Sequence, residues 1–145
     1  MNVERVSLDD IMTLRVRVLR QNTPAQTANY TEDDYDDAVH FGIRLNGDLV
    51  ATSTWFSKEC PEHPSLRGVQ LKGMAVDESL QTTGYGRALI DAGIALAVER
   101  QAHVVWARAR DSAIGFYEKC GFHCAGEGFI DEPTAMPHHI VVRMI

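Results

Sequence analysis

The residues best suited to chemistry lie in a short polar loop, Gln81-Thr82-Thr83-Gly84-Tyr85-Gly86, between an apolar strand and an amphipathic helix. Backbone N–H groups in the first turn of a helix have no helical partner, and they lie at the positive end of the helix dipole. Gly84 and Gly86 place no side chain between this backbone and an anion, and glycine adopts the dihedral angles that turn successive N–H groups inward. The loop therefore predicts a phosphate-binding site.

Phosphate loops differ in spacing, and spacing excludes two of the three that are similar to this stretch. The chain has no G-x-x-x-x-G-K-[ST], which excludes the nucleoside triphosphate loop. The third glycine of G-x-G-x-x-G would fall at Leu89, so the dinucleotide-binding pattern is incomplete. The third pattern, Q/R-x-x-G-x-G/A, is complete from Gln81 to Gly86. Only this pattern fits the loop in full.

The elements that must hold the loop alternate along the chain. The stretch "VERV" predicts a short strand, and Ser7 with Asp10 fits a capping box that opens a helix running to about Arg20. Asn46-Gly47 between two β-rich runs predicts a hairpin, because both turn positions tolerate positive φ. The apolar face of the first helix consists of Leu8, Ile11, Leu14 and Val18.

The second half of the chain carries the loop and the elements that follow it. The run "VQLKGMAV" predicts the strand before the loop, and Gly73 within it indicates a bulge or a close backbone approach. A buried strand follows the loop helix, then a short helix capped by Asp111 or Ser112 and closed by Gly121, then two final strands. The apolar face of the loop helix consists of Leu89, Ile90, Gly93, Ile94, Ala97 and Val98.

With these elements in this order, the sequence resembles the GNAT superfamily of N-acetyltransferases. The resemblance covers most of the chain, and it is most specific in "GMAVDESLQTTGYGRAL" and "AIGFYEKCGF". It implies one α/β (α+β) domain over residues 1–145, with a mixed, mostly antiparallel sheet whose central strands splay apart between flanking helices. It also implies an N-acetyltransferase that uses acetyl-CoA as co-substrate.

The resemblance also implies roles for particular residues. The backbone of Met74–Val76 runs beside the pantetheine arm, the N–H groups of the loop hold the diphosphate, and Arg87 adds positive charge. Tyr117 matches the family tyrosine that faces the thioester sulfur, and a phenol with a reference pKa of about 10 can protonate the departing thiolate. The alternative is that Tyr117 only packs with Ala113 and Cys120. The implied coenzyme-binding residues are Met74, Ala75, Val76, Gln81, Thr82, Thr83, Gly84, Tyr85, Gly86 and Arg87.

The sequence leaves open which group removes a proton from the amine. Many members of the family carry a glutamate on the strand before the loop, but "VQLKGMAV" has no carboxylate, and Lys72 would need a strongly depressed pKa. Asp77 and Glu78 follow that strand, where turn and capping roles are commoner. His138 or His139 could relay a proton, although a surface pair opening a strand is the commoner case. A chain of water molecules is a further alternative.

The remaining polar residues favour structural interpretations. The acids between positions 32 and 37 predict a solvated rim, with a site for a cationic substrate as the alternative. Arg108 and Arg110 alternate at the end of a strand, where they either flank the cofactor cleft or extend into solvent. Trp55 and Trp106 indicate core or groove wall, since no basic stripe accompanies them. The acids are Glu32, Asp33, Asp34, Asp36 and Asp37.

Composition limits the class of protein. A chain of 145 residues with 45% hydrophobic and 23% charged residues is typical of one globular domain. Its formal net charge of -6 argues against a nucleic-acid partner and weakly favours cationic ones. Three cysteines without metal-type spacing, Cys60, Cys120 and Cys124, predict reduced thiols in the cytoplasm and no bound metal. No run has the length of a signal peptide or a membrane span, so no membrane partner is expected.

The resemblance to the GNAT superfamily implies an enzyme that moves an acetyl group to a primary amine by direct attack in a ternary complex. No serine or cysteine lies in a nucleophile–base motif, which disfavours a covalent acetyl-enzyme, and Cys120 is the one thiol to check. The expected acceptor is a small-molecule or peptide amine, and the resemblance admits a homodimer. The alternative is a non-catalytic acyl-CoA-binding module or sensor, which would need neither Tyr117 nor an acceptor cleft.

Overall fold

Seven strands and three α-helices make up the structure, a computed structural model that describes residues 1–145. The strands are β1 (Glu4–Arg5), β2 (Val39–Leu45), β3 (Asp48–Ser57), β4 (Gly68–Val76), β5 (Val104–Arg110), β6 (His123–Asp131) and β7 (Met136–Met144). The helices are α1 (Leu8–Leu19), α2 (Tyr85–Glu99) and α3 (Ile114–Lys119). Short 3₁₀ turns lie at Thr31–Asp34, Glu78–Leu80 and Asp111–Ala113.

The strands form one mixed sheet in the order β1-β2-β3-β4-β5-β7-β6. The central strands β4 and β5 pair in parallel, and every other neighbouring pair is antiparallel. A parallel pair needs a crossover connection, which α2 supplies. The predicted fold, a mixed and mostly antiparallel sheet flanked by helices, is confirmed.

The two central strands separate partway along their length. Their paired positions end at Leu71 and Ala107, although β4 continues to Val76 and β5 continues to Arg110. The other edge of β4 remains paired with β3 as far as Val76. The edge of β4 from Lys72 to Val76 that faces β5 is therefore unpaired, and it lines a gap in the middle of the sheet.

Gly73 forms the bulge that the sequence predicts in β4. Its φ is +67°, and the pairing register of β3 with β4 shifts opposite it, between Thr52 and Thr54. A Cβ at this position would come within 2.8 Å of Arg15 Nε on α1. Both the backbone conformation and the close approach of α1 therefore require glycine here.

The first helix begins with the predicted capping box. The Asp10 N–H donates to Ser7 Oγ over 3.2 Å, and the Ser7 N–H donates to Asp10 Oδ2 over 3.3 Å. Ile11 and Leu14 are buried, as their spacing predicts. The helix ends at Leu19, and its C-terminal end reaches the gap between the central strands.

The second helix packs on the sheet through most of its predicted apolar face. Leu89, Ile90, Gly93 and Ala97 are buried, but Val98 is 55% exposed, so the prediction is wrong at that residue. At 3.6 residues per turn Val98 lies about 180° around the helix from Leu89. Leu96, which the sequence analysis did not place on that face, is buried instead.

The main core lies between the sheet and the helices α2 and α3. Gly93 brings α2 close to β3, because a Cβ at this position would come 2.0 Å from the fully buried ring of Trp55. Trp106 belongs to a smaller apolar cluster on the opposite face of the sheet, since successive strand residues alternate between faces. The loop before α2 is thus attached to a helix whose distance from the sheet is fixed.

Two further turn predictions have different outcomes. Asn46 and Gly47 have φ values of +54° and +87° and join β2 to β3, so the predicted hairpin is confirmed. Gly121, with φ of +87°, follows α3 as predicted. The predicted cap of α3 by Asp111 or Ser112 is wrong, because these residues form a separate 3₁₀ turn and no side chain caps α3.

Candidate active site

A cleft of about 1390 Å³ opens where β4 and β5 separate. Its volume exceeds the roughly 300–1,000 Å³ that is typical of a pocket for one small ligand. We call its first side the loop wall, which consists of Gln81–Arg87 and the facing side of α3. We call its second side the polar wall, which consists of Arg20, Tyr30, Glu32, Lys58, Lys72, Arg108, Arg110, Asp131 and His138.

Most of the residues predicted to bind a coenzyme line this cleft. Ala75, Thr83 and Tyr85 are the exceptions. The side chain of Tyr85 packs against a small apolar cluster, and the Thr83 hydroxyl donates to the Leu80 carbonyl. The roles predicted for these three residues involve their backbone groups, which side-chain direction does not test. The predicted coenzyme-binding residues that do line the cleft are Met74, Val76, Gln81, Thr82, Gly84, Gly86 and Arg87.

The loop wall presents backbone N–H groups at the start of α2. Gly84 is the N-cap residue, with φ of +97°, a left-handed conformation that favours glycine. The first helical bond runs from the Ala88 N–H to the Gly84 carbonyl, so the N–H groups of Tyr85–Arg87 have no helical acceptor. The Gln81 side chain donates to the Val76 carbonyl over 3.2 Å and ties the loop to the end of β4.

Gly86 also has a steric role that the loop pattern does not indicate. A Cβ at this position would lie 2.9 Å from Cζ of Phe116 on α3. The glycine therefore lets the first turn of α2 pack directly against α3. Arg87, one residue later, donates to the Lys119 carbonyl over 3.2 Å, which brings two positive charges to this wall.

Tyr117 lines the cleft from α3 and is only 6% exposed. Its ring makes edge contacts with Phe116 and Phe122, at centroid distances of 5.2 and 5.4 Å. Its hydroxyl has no hydrogen-bond partner in the chain. Burial, with a smaller contribution from Cys120, raises the pKa of Tyr117, so the phenol keeps its proton near neutral pH. The packing alternative is also observed, because the ring belongs to the main core cluster with Cys120.

Glu32 on the polar wall contradicts the prediction of a solvated acidic rim. The residue is 7% exposed, and its carboxylate accepts from Lys58 Nζ over 2.6 Å and from Lys72 Nζ over 3.1 Å. Burial opposes its ionisation, but the hydrogen bonds from Lys58, its own backbone and Lys72 outweigh burial and lower its pKa to about 2. The lysines lie 26 and 40 residues away along the chain, so the local acidic run gave no sign of them.

Asp33 contradicts the same prediction through a second buried pair. Both of its carboxylate oxygens accept from the Arg15 guanidinium at 2.8 Å, and both side chains are almost fully buried. Arg15 also donates to the Ala28 carbonyl and to Thr54 Oγ1, which fastens the segment after α1 to β3. The sequence does contain an indication that Arg15 is buried, since it follows Ile11 by four positions and so lies on the apolar face of α1.

The structure separates the two histidines that the sequence left as equal candidates. His138 lines the cleft, is 5% exposed, and its Nδ1 lies 2.9 Å from the Met136 carbonyl. His139 points elsewhere, with its Nδ1 2.7 Å from Asp111 Oδ1. A carbonyl oxygen only accepts, so Nδ1 of His138 carries a hydrogen and its Nε2 has a free lone pair when the ring is neutral. That Nε2 has no partner in the chain and is not sealed from solvent.

The cysteines do not form a nucleophile–base pair. Cys120 lines the cleft but is buried, and burial raises the pKa of its thiol. Burial also raises the pKa of Cys60 and of Cys124. A thiolate is the reactive form of cysteine, so these shifts disfavour nucleophilic catalysis by any of the three.

Comparison with known proteins identifies the family. The model of the acetyltransferase (GNAT) family matches residues 8–122, so the chain belongs to this family and is an acetyltransferase. It is 28% identical to the uncharacterized N-acetyltransferase YitI of Bacillus subtilis (strain 168) over 142 residues, 98% of this chain and 94% of that protein. None of its helices has the length and apolar character needed to cross a membrane.

Solved structures of lower identity share the fold. Escherichia coli ElaA superposes with a TM-score of 0.77 at 21% identity, covering 99% of each chain. A GNAT family acetyltransferase from Elizabethkingia anophelis with acetyl-CoA bound superposes with a TM-score of 0.69 at 13% identity, covering 99% of this chain and 97% of that one. These similarities establish the fold alone.

Proposed function

We propose that the protein transfers the acetyl group of acetyl-CoA directly to a primary amine while both substrates are bound. The observation that carries this proposal is the meeting of three features in one cleft. These are the free N–H groups at the start of α2, the unpaired edge of β4, and the phenol of Tyr117. The similarity in fold to a relative with bound acetyl-CoA supports the choice of donor.

The residues of the cleft fit a coenzyme with a diphosphate and an amide-containing arm. The N–H groups of Gln81–Arg87 would hold the diphosphate, and the positive charges of Arg87 and Lys119 add to the attraction. The unpaired edge at Met74–Val76 would pair with the amides of the arm as an added strand does. Bound acetyl-CoA supplies the acetyl thioester.

Tyr117 acts as the proton donor in this mechanism. As the nitrogen–carbon bond forms and the carbon–sulfur bond breaks, its hydroxyl gives a proton to the departing sulfur. Burial raises the pKa of Tyr117, so the proton is present at neutral pH, and the phenolate that results is returned to neutrality by solvent.

His138 acts as the proton acceptor, and elimination among the groups of the polar wall supports this role. Glu32 has a pKa of about 2 and is held by two lysines. Asp131 is held by Arg108 and by Thr134, and these bonds outweigh burial and lower its pKa. Carboxylates held in this way are weak bases. The Nε2 of His138, which has no partner, accepts the proton that the amine nitrogen loses.

Transfer can be tested with purified protein, acetyl-CoA and a panel of primary amines, by following the release of free thiol and the mass of the acetylated amine. The expected result is acetylated product together with calorimetric binding of coenzyme A. Binding of the coenzyme with no acetylation of any amine would support a sensor and overturn transfer. A lack of binding would overturn the assignment of the loop wall.

The role of His138 can be tested against its neighbour. We expect His138→Gln to lower the acceptor kcat/KM by about 10²–10⁴-fold at neutral pH. The matched change His139→Gln, outside the cleft, should leave it within about threefold, as expected of a residue that takes no part in proton transfer. The deficit of His138→Gln should shrink as the pH rises and free amine becomes abundant, because the base is then unnecessary. A deficit that stays constant with pH would show a structural role.

A further inference from the structure

Two arginines on the polar wall have no acidic partner. The Arg20 guanidinium donates to the Thr27 and Leu19 carbonyls, and Arg110 also donates to the Leu19 carbonyl. The other cations of this wall all pair with a carboxylate: Lys58 and Lys72 with Glu32, and Arg108 with Asp131. Arg20 and Arg110 are therefore like charges that meet at the end of α1, and neither has a carboxylate within salt-bridge distance.

This arrangement has a physical cost. Burial, together with the nearby charge of Arg20, lowers the pKa of Arg110. The carbonyls at the C-terminus of α1 compensate part of the charge, because that end of a helix is negative. Arg110 nonetheless uses one of its five N–H donors within the chain, and none of the others is sealed from solvent. An anion bound in the cleft would supply the missing partner.

The charge of the cleft agrees with this interpretation. Seven lysines and arginines and three carboxylates line it, although the protein has a formal net charge of -6. The overall acidity, which weakly favoured cationic partners, therefore does not describe this cavity. Arg87 and Lys119 belong to the loop wall, whereas Arg20 and Arg110 lie on the polar wall.

We propose that the acceptor amine carries an anionic group, a carboxylate or a phosphate, which binds to Arg110 and Arg20. A guanidinium fork matches either anion through paired hydrogen bonds. Arg110 lies directly opposite His138 in the pairing of β5 with β7, so their Cβ atoms are about 5 Å apart on one face of the sheet. The anion and the reacting amine of the acceptor are thus separated by few bonds, as in a free amino acid. This proposal rests on the proposed acetyl transfer.

The first test compares matched acceptors. Amino acids, their amides, and aminoalkyl phosphonates would be assayed with the wild type, Arg110→Gln, Arg110→Lys and Arg5→Gln. The wild type should favour an acid over its amide at least tenfold in kcat/KM, and the phosphonates distinguish phosphate from carboxylate as the preferred anion. Arg110→Gln should lose the preference through a higher KM, Arg110→Lys should keep part of it, and the exposed Arg5→Gln should keep it in full. Equal use of acids and amides by the wild type would overturn the proposal.

A second test needs no transfer and separates this proposal from the proposed function. N-acetylated amino acids and their amides would be titrated calorimetrically into the protein saturated with coenzyme A. Tighter binding of the acids to the wild type than to Arg110→Gln supports the anion site even if no amine is acetylated. Weaker binding of coenzyme A itself by Arg110→Gln would instead assign the arginine to the coenzyme and overturn the proposal.

Discussion

The two walls of the cleft are built in different ways. The loop wall presents backbone groups from a contiguous stretch, Gln81–Arg87, fixed by the N-terminus of α2. The polar wall presents side chains from the segment that follows α1, from the residue after β3, and from β4, β5, β6 and β7. Its charges are held by partners far along the chain, such as Glu32 with Lys72 and Arg108 with Asp131.

This difference indicates which substitutions would alter the loop wall and which would alter the polar wall. Backbone groups are the same for every residue type, so the loop wall depends on conformation and on the glycines that permit it. The polar wall depends on which side chains are present, and one substitution there alters charge, hydrogen bonding and shape together. Under the proposed function, donor binding would depend mainly on backbone conformation, and acceptor choice would depend mainly on side-chain identity.

The largest effect is expected at Tyr117, which lines the cleft from α3. Tyr117→Phe removes the hydroxyl but keeps the ring contacts, so kcat should fall by about 10²–10⁴-fold while the Kd for coenzyme A stays unchanged. Steady-state thiol release and calorimetry measure the two quantities. Tyr35→Phe, at a residue outside the cleft, is the control. Activity at the wild-type level would remove Tyr117 from the mechanism.

The next largest effect is expected on stability, at the buried pair that fastens the segment carrying Tyr30 and Glu32 of the polar wall to β3. Arg15→Met leaves Asp33 buried without its partner and should lower the free energy of unfolding by about 3–5 kcal/mol. Arg17→Met breaks only an exposed pair with Asp77 and should cost less than about 1 kcal/mol. Urea denaturation gives both values. If coenzyme A affinity fell as much as acceptor affinity in Arg15→Met, the walls would not be independent.

A moderate effect on coenzyme A binding is expected at Gly86, which belongs to the loop wall. Gly86→Val forces Phe116 and the first turn of α2 apart, which should weaken coenzyme A binding by about 1–3 kcal/mol. Ala95→Val, which places a valine at an exposed position of α2, serves as the control. Calorimetry with coenzyme A measures the change. An affinity within twofold of the wild type would show that the loop wall tolerates displacement.

The last effect concerns the pH dependence of stability at Glu32. Its pKa is about 2 in the folded protein and 4.5 as an ordinary value, so its ionised form stabilises the fold above about pH 4.5. That stabilisation is lost as the pH falls from about 4.5 towards 2, because protonation then costs the folded state its ion pairs. The free energy of unfolding of wild type minus Glu32→Gln should therefore decrease over this range. A difference independent of pH would show that the two lysines do not hold the carboxylate.

The sequence was sufficient for most of the fold and for the loop wall because their determinants are local. The capping box of Ser7 and Asp10 and the turn at Asn46-Gly47 act within four residues, and both are confirmed. The separation of the central strands came from the family resemblance rather than from any local pattern. Val98 was wrongly predicted to be buried, because the apolar pattern of α2 extends around the helix beyond the face that contacts the sheet.

The polar wall could not be predicted because its determinants are distant in sequence. A cluster of acids such as that between positions 32 and 37 is indistinguishable from a solvated surface until Lys58 and Lys72 are brought to Glu32 by the folding of β3 and β4. His138 and His139 are adjacent in sequence and alternate in direction, so only the register of β7 determines which one enters the cleft. The choice between the two histidines therefore could not be made from the sequence.

The unpaired edge of β4 has a further consequence for the protein before it meets its ligand. An open strand edge is a template for pairing with other chains, and natural proteins usually cover such edges to avoid aggregation. Here the edge from Lys72 to Val76 is recessed between the central strands, so a folded neighbour has little access to it, whereas an extended flexible molecule can enter. The same gap that admits a ligand therefore limits the pairing of this edge with a second protein chain.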